Sequence, residues 1–296
     1  MNMMKSYPTI EQERVLVICV NYYNEEETCA FVKQVLKQKE SIPVNVVIAN
    51  NNESNERDFI LNACAKANDR VALFNTGENL GYFGAANHAL LRYCQESPLP
   101  EWVIVSNTDI CFEDDEFFVM LIEVSGNRPH EIIAPSIISL KTGLNQNPHR
   151  RKRPSRLRMH SYKWIFRNYH VANGYSNLGL IKAKIKRALH HASKLASQAG
   201  RPLSIYAPQG SFVIFNRKYF ECGGDFDYGS VLMGEEIFVA ETALRLGLKV
   251  SFIPQLRVIH REHSTTWVLR MNRELQYLSA KYCADKYFRY GPFKTK

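Results

Sequence analysis

Val15-Leu16-Val17-Ile18-Cys19-Val20, followed at once by Asn21-Tyr22-Tyr23-Asn24-Glu25, is the stretch on which the fold turns. A continuous apolar run with no polar alternation marks a strand buried on both faces, as in a parallel sheet. The polar cluster after it opens a helix in which Cys29, Val32, Val35 and Leu36 recur at helical spacing. The unit then repeats. A strand over 44–49 stops at Asn50-Asn51-Asn52, and a helix follows around 58–66. A strand over 71–75 runs into Gly77 and Gly81, and a helix over 84–94 leads to the apolar run Trp102 to Ser106. Strand–helix units of roughly 30 residues predict a doubly wound, mostly parallel α/β sheet flanked by helices. Ligands of such sheets bind beyond the carboxyl ends of the strands. The polar, Asn-rich junctions after the strands are therefore the candidate site: Asn21, Asn50 to Asn52, Asn75 to Gly81, and Asn107 to Asp109.

The chain has 296 residues, 45% of them apolar, which suffices for one large domain or two small ones. No apolar run approaches the roughly 18 residues of a membrane span. The opening Met1 to Val15 has no apolar signal core, so an intracellular protein is expected. Its net charge of +9 is unevenly placed. Between Ile132 and Phe220 stand 17 Lys or Arg and no Asp or Glu, leaving 21 basic and 29 acidic residues elsewhere. A mildly acidic body carrying one basic block argues for a localised anionic partner, and against a protein that coats nucleic acid. The seven cysteines form no C-x-x-C pair and are expected to be buried free thiols.

The basic block opens with Pro148-His149-Arg150-Arg151-Lys152-Arg153-Pro154, which cannot be helical throughout. Beyond it Tyr162, Ile165, Phe166 and Tyr169 fall at i, i+3, i+4 and i+7, with Trp164 beside them. Ile181, Ile185, Ala188, Ala192, Ala196 and Ala199 line a second helical face. Two basic amphipathic helices suit either an anionic membrane interface or packing on the sheet with solvated charges. The α/β pattern resumes near Ile205, with a strand over 211–215, a helix over 235–246 closed by Gly247, and a short strand over 249–253. A strand-like segment from Val258 to His263 precedes a Tyr- and Arg-rich helix over 268–288, which could pack a partner copy.

Three groups carry chemistry. Asp109, with Asn107, follows a buried strand, where a carboxylate can hold a divalent cation against phosphate oxygens. Glu235 and Glu236 open a helix, either as favourable charges at its N-terminus or with one carboxylate as a general base. His260 and His263 could complete a metal shell or simply pack. There is no P-loop, no G-x-G-x-x-G and no G-x-S-x-G, which excludes those modes of nucleotide binding and acyl transfer.

Taken in order, the motifs resemble the inverting family 2 glycosyltransferases of the GT-A fold, particularly bacterial rhamnosyl- and galactosyltransferase-like enzymes of surface polysaccharides. They run from Val15 to Tyr22, through the Asn-rich end of the second strand, to Asn79-Leu80-Gly81-Tyr82-Phe83-Gly84-Ala85-Ala86-Asn87. Ser106-Asn107-Thr108-Asp109, Gly210 to Phe215, Gly223-Gly224-Asp225-Phe226-Asp227, Gly234-Glu235-Glu236 and His260 follow. The resemblance covers 14–145 and 205–265.

It implies a nucleotide-sugar-binding half over 1–145, a basic helical insertion over 146–204 on the acceptor side, and an acceptor-binding half over 205–296 ending in a C-terminal helix. By the resemblance Asn107 and Asp109 match a D-x-D motif whose first acid is Asn, with Asp109 and His260 binding Mg2+ or Mn2+. Asn50 takes the place of an Asp that reads a pyrimidine base, and Asn21, Asn79 and Gly81 line the nucleotide pocket. Glu236 holds the place of the catalytic base, beside Glu235. The implied donor is a UDP- or dTDP-sugar. The implied acceptor is a hydroxyl of a lipid-linked glycan, approached at the inner face of the cytoplasmic membrane through an anionic surface facing residues 149–201. Two other readings are a nucleic-acid-binding protein using the basic block and a catalytically inactive GT-A binding subunit.

Overall fold

A computed structural model describes residues 15–39, 41–54, 58–126, 130–175, 202–230, 233–262 and 268–287. The amphipathic face expected over 181–199, and His263, lie outside the described residues. The first units form as the hydrophobic pattern dictates: β1 (Val15–Asn21), α1 (Glu25–Leu36), β2 (Val44–Asn50), α2 (Asp58–Lys66), β3 (Val71–Asn75), α3 (Gly81–Glu96) and β4 (Trp102–Ser106). Three elements that the sequence reading does not include come next: β5 (Ile110–Phe112), α4 (Phe117–Ser125) and β6 (Ile132–Ser139). Then follow α5 (Arg156–Ile165), β7 (Leu203–Ile205), β8 (Phe212–Asn216), α6 (Arg217–Glu221), α7 (Glu235–Leu246), β9 (Val250–His260) and α8 (Val268–Lys286).

The strands make one nine-stranded sheet in the order β3-β2-β1-β4-β8-β6-β9-β5, with β7 also paired to β9. Pairing is parallel from β3 to β4, as expected, and mixed beyond. β8 lies antiparallel to both β4 and β6, while β6 and β9 run parallel. Because β4 and β8 are neighbours, both expected halves of the chain share one sheet.

Apolar cores cover both faces. Phe83 of α3 packs against Phe215 of β8, Phe226 and Phe238 of α7, with ring centroids 6.5, 5.4 and 5.9 Å away. This cluster ties the helix after β3 to the helix bearing Glu235 and Glu236, fixing two parts of the candidate site on one core. The expected helix around 155–169 is shorter. α5 stops at Ile165, and helical conformation resumes over 169–175. All seven cysteines are free, but Cys94 and Cys222 are exposed rather than buried. Among the described residues no helix is long and apolar enough to cross a membrane.

Candidate active site

The register of the parallel strands sets Asn21 beside Asn50 and Asn50 beside Asn75 at one edge of the sheet. Their side chains form a buried lattice. Asn21 Nδ2 donates to Asn50 Oδ1 at 2.9 Å, and Asn50 Nδ2 donates to Asp58 Oδ1 at 2.7 Å and Asn75 Oδ1 at 3.0 Å. Thr28 Oγ1 donates to Asn21 Oδ1 at 2.8 Å. Asn21 and Asn50 are almost fully buried, and both amide protons of Asn50 are engaged. The sequence reading set Asn50 against a nucleobase and Asn21 in the nucleotide pocket. Here both side chains are buried and bonded to each other, which ties the two strand ends together.

One layer out, Asn79 is partly exposed and is held by the buried Asn51. Asn51 Nδ2 donates to Asn79 Oδ1 at 2.9 Å, and that oxygen also accepts from Gly81 N at 2.9 Å. Asn79 is thus held at the start of α3, where Gly81 has a φ of +74°. Next to it stand two residues to which the sequence pattern assigns no role. Tyr22 and Tyr23 are both nearly half exposed, with ring centroids 4.9 Å apart in an edge-on pair. Tyr23 adopts a left-handed φ of +52°. An exposed aromatic pair carried on a strained junction suits stacking against a flat ligand. The signal for them in the sequence was only their place directly after β1.

Asn107 to Asp109 bridge β4 and β5, and β5 pairs with the end of β9 so that Ile110 lies opposite His260. His260 Nε2 stands 3.2 Å from Asp109 Oδ2, with both side chains mostly buried. On its far side His260 Nδ1 is 2.8 Å from Gln146 Oε1, and Gln146 Nε2 donates to Glu262. That bond orients the Gln146 amide, so its oxygen faces the imidazole and Nδ1 is the donor. The Nε2 lone pair is then aimed at a carboxylate oxygen, an arrangement that a proton or a cation between them stabilises. An imidazole nitrogen oriented from behind and a carboxylate are apt ligands for a divalent ion, so these residues fit the metal that the sequence reading expects. Among the described residues no cluster of three or more His, Cys, Asp or Glu groups surrounds such an ion, and two protein ligands leave room for phosphate oxygens.

Glu235 and Glu236 open α7 and differ in exposure. Gly234, at a φ of +104°, starts α7. A Cβ on it would come within 2.3 Å of the Tyr228 hydroxyl and 2.6 Å of Cys283 Sγ, so only glycine fits. Glu235 turns inward, buried, its Oε1 accepting from Met233 N at 3.0 Å. Burial, and then the neighbouring Glu236 charge, push its carboxyl pKa up to about 8. Glu236 is half-buried and lines a cavity. Of the pair, it is the carboxylate accessible to a substrate.

Gly210 links this carboxylate to the metal side. A Cβ there would lie 3.2 Å from Glu236 Oε1, while Asn107 N donates to the carbonyl of the next residue, Ser211, at 2.8 Å. One strand start thus carries the Asp109 loop on one side and Glu236 on the other. Tyr82, in the first turn of α3, puts its hydroxyl beside the same acids. That oxygen is buried without a hydrogen-bond partner, and burial followed by the charges of Glu235 and Asp109 raises its pKa well above the usual phenol range.

The family model described as glycosyl transferase family 2 matches residues 15–187, more than half of the chain. The chain belongs to glycosyl transferase family 2. Its structure is similar to that of a mannosyltransferase from Pyrobaculum calidifontis in complex with GDP-Man and Mn2+. The TM-score is 0.51 at 13% identity, over 93% of this chain and 69% of that one. It is also similar to GalNAc-T7 with UDP, GalNAc and Mn2+, at a TM-score of 0.54 and 14% identity, over 85% of this chain and 44% of that one. No curated protein matches the chain in sequence. The protein is a glycosyltransferase of the GT-A fold, and its mixed sheet flanked by helices is the architecture of these neighbours.

Proposed function

We propose that this family 2 member is an inverting, metal-dependent transferase that moves a sugar from a UDP- or dTDP-sugar to a hydroxyl of a lipid-linked glycan, in surface polysaccharide synthesis. The observation that carries the reading is the convergence at Gly210 and Ser211. The loop of Asp109, which pairs with His260, and the accessible Glu236 carboxylate both adjoin that strand start.

Asp109 and His260 would hold Mg2+ or Mn2+, which when bound offsets the charge growing on the departing diphosphate. The similar structures, complexes with GDP-Man and Mn2+ and with UDP and Mn2+, support a nucleotide sugar and a divalent ion as ligands. Asn79, held by Asn51, and the Tyr22–Tyr23 pair line the donor side. Glu236 accepts the proton of the acceptor hydroxyl. The freed oxygen attacks the anomeric carbon as the bond to the diphosphate breaks, and the nucleoside diphosphate departs with that electron pair. One displacement inverts the anomeric centre and needs no covalent enzyme intermediate.

The basic segment gives the acceptor side its character. On α5, Leu157 and Trp164 stand at i and i+7, 83% and 69% exposed, with Arg156 and Lys163 beside them. An apolar ridge flanked by cations supports docking on an anionic membrane face, and hence a peripheral enzyme at the inner surface of the cytoplasmic membrane. The reading is tested by release of nucleoside diphosphate from UDP- and dTDP-sugars with Mn2+. Wild-type protein should release it and Glu236→Gln should lose at least a hundredfold in rate with acceptor. Equal rates in both proteins would refute Glu236 as the base.

A further inference from the structure

Glu236 forms one end of a cavity of about 370 Å³ that also touches α5, the following helical segment and α8. That volume lies near the lower end of small-molecule sites, about 300–1,000 Å³, and suits a single sugar with one small substituent. Its chemistry is lopsided. Among the described residues Glu236 is the only carboxylate in the lining, while His149, Arg150 and Arg158 bring basic side chains to the wall. Partial burial lowers the His149 pKa below its ordinary value, against the opposing pull of Glu236. His149 is therefore neutral at pH 7, and the two arginines are the cations.

The Arg158 guanidinium is held in place by uncharged groups. Arg158 Nε donates to the Tyr162 hydroxyl at 2.7 Å, and its guanidinium lies 5.5 Å from the centre of that ring. Tyr175 stands edge-on to Tyr162, with centroids 6.0 Å apart. Arg150 is fixed through its backbone, which exchanges hydrogen bonds with Ala207 at 3.1 and 3.0 Å. Among the described residues no carboxylate pairs with either. Arg153, in the same segment, contrasts with them: Glu241 takes its fork at 2.8 and 2.6 Å. Two guanidinium groups in a partly enclosed cavity, with no carboxylate partner among the described residues, form a site for an anion with several acceptor oxygens. A phosphate can serve both forks at once, whereas a carboxylate has two oxygens for a single fork. The rings of Tyr162, Phe166 and Tyr175 add apolar faces against which the C–H side of a sugar ring can lie.

We propose that the acceptor is a glycosyl phosphate, its phosphate bound by Arg150 and Arg158 and its sugar placed so that one hydroxyl meets Glu236. The inference rests on the transferase reading and adds to it the chemical class of the acceptor. The phosphate belongs either to a free sugar phosphate or to a lipid-linked one.

Titration calorimetry with glucose 1-phosphate in EDTA, which keeps the phosphate from a metal site, tests the proposal. Wild-type protein should bind it. Arg150→Ala and Arg158→Ala should each weaken binding at least tenfold, Arg158→Lys should weaken it less than Arg158→Ala, and methyl glucoside should not bind. Thermal melts of the variants establish that they are folded. Farnesyl phosphoglucose in detergent separates the two sources, since tighter binding than glucose 1-phosphate assigns the lipid-linked form and equal binding the free one. The proposal is overturned if the double alanine variant binds glucose 1-phosphate as wild type does, or if methyl glucoside binds equally well. Donor hydrolysis by wild-type protein, with Mn2+ and no acceptor, separates the two levels of failure. With hydrolysis present and no glucose 1-phosphate bound, the acceptor inference alone falls. With no nucleotide sugar bound or hydrolysed, the transferase reading falls and takes the acceptor with it.

Discussion

Replacing Glu235 with glutamine should stabilise the protein, by an amount that grows as pH rises. The Glu235 carboxyl is held at about 8 in the folded chain, against an ordinary value of 4.5, first by burial and then by the Glu236 charge. Between those two values the folded state keeps a proton that the unfolded chain gives up. Stability contributed by this group is therefore complete below pH 4.5 and is lost as pH climbs toward 8, at about 1.4 kcal/mol per pH unit. At pH 7 the loss is about 3 kcal/mol, or roughly 6 °C in unfolding temperature for a domain of this size. Glutamine carries no charge to desolvate, and its Oε1 can still accept from Met233 N. Melting curves for Glu235→Gln and wild type at pH 5, 6, 7 and 8 should nearly coincide at pH 5 and separate steadily above it. Parallel pH dependences in the two proteins, or a variant less stable at pH 8, would refute the argument. Glu236→Gln should narrow the same gap in part, because it removes the second cause and leaves burial.

Two further substitutions probe the frame around the site. Arg153→Ala removes a bidentate partner and, among the described residues, leaves the buried Glu241 with only the Tyr206 hydroxyl, at 2.6 Å. Because Arg153 itself is about one-third exposed, the expected cost falls at the lower end of the range for broken buried pairs, about 3 kcal/mol, read by urea denaturation; a cost below 1 kcal/mol would contradict the pairing. Gly210→Ala sets a methyl group 3.2 Å from Glu236 Oε1, displacing the base by a fraction of an ångström. It should lower kcat by about ten- to a hundredfold with little loss of stability, and an unchanged kcat would remove Glu236 from the reacting centre.

The parallel half of the fold was legible because β1, β2 and β4 are continuous apolar runs that end in polar junctions, a pattern set by burial on both faces. Beyond Ser106 the code is weaker. The run Phe117-Phe118-Val119-Met120-Leu121-Ile122 becomes α4, yet so short an apolar run reads equally well as strand. β6 holds Pro135 in mid-strand, which argues against a central position, and its partner shows why it is tolerated. Pairing jumps from Pro135–Ile253 to Ser136–Arg257, a bulge that spares the missing N–H. The same bulge hides β9, which the pattern divides into two short strands. At the candidate site, residue type and position singled out Asp109, His260 and the two glutamates. Which glutamate is buried, and that Asn21 and Asn50 bond each other, depends on side-chain direction across strands brought together only by folding. Arg150 and Arg158 appeared in the sequence as two members of a long basic block. Their place on the wall of the cavity lined by Glu236 comes only with folding.

Binding of a nucleotide sugar together with a divalent ion at the Asp109–His260 edge is measured directly by thermal unfolding. A ligand at a hundred times its Kd adds about 2.7 kcal/mol to stability, roughly 5 °C here. Wild-type protein should show such a rise with a UDP- or dTDP-sugar plus Mn2+, lose most of it in EDTA, and show none as Asp109→Asn. No rise with either nucleotide sugar, or an equal rise in Asp109→Asn, would contradict the account.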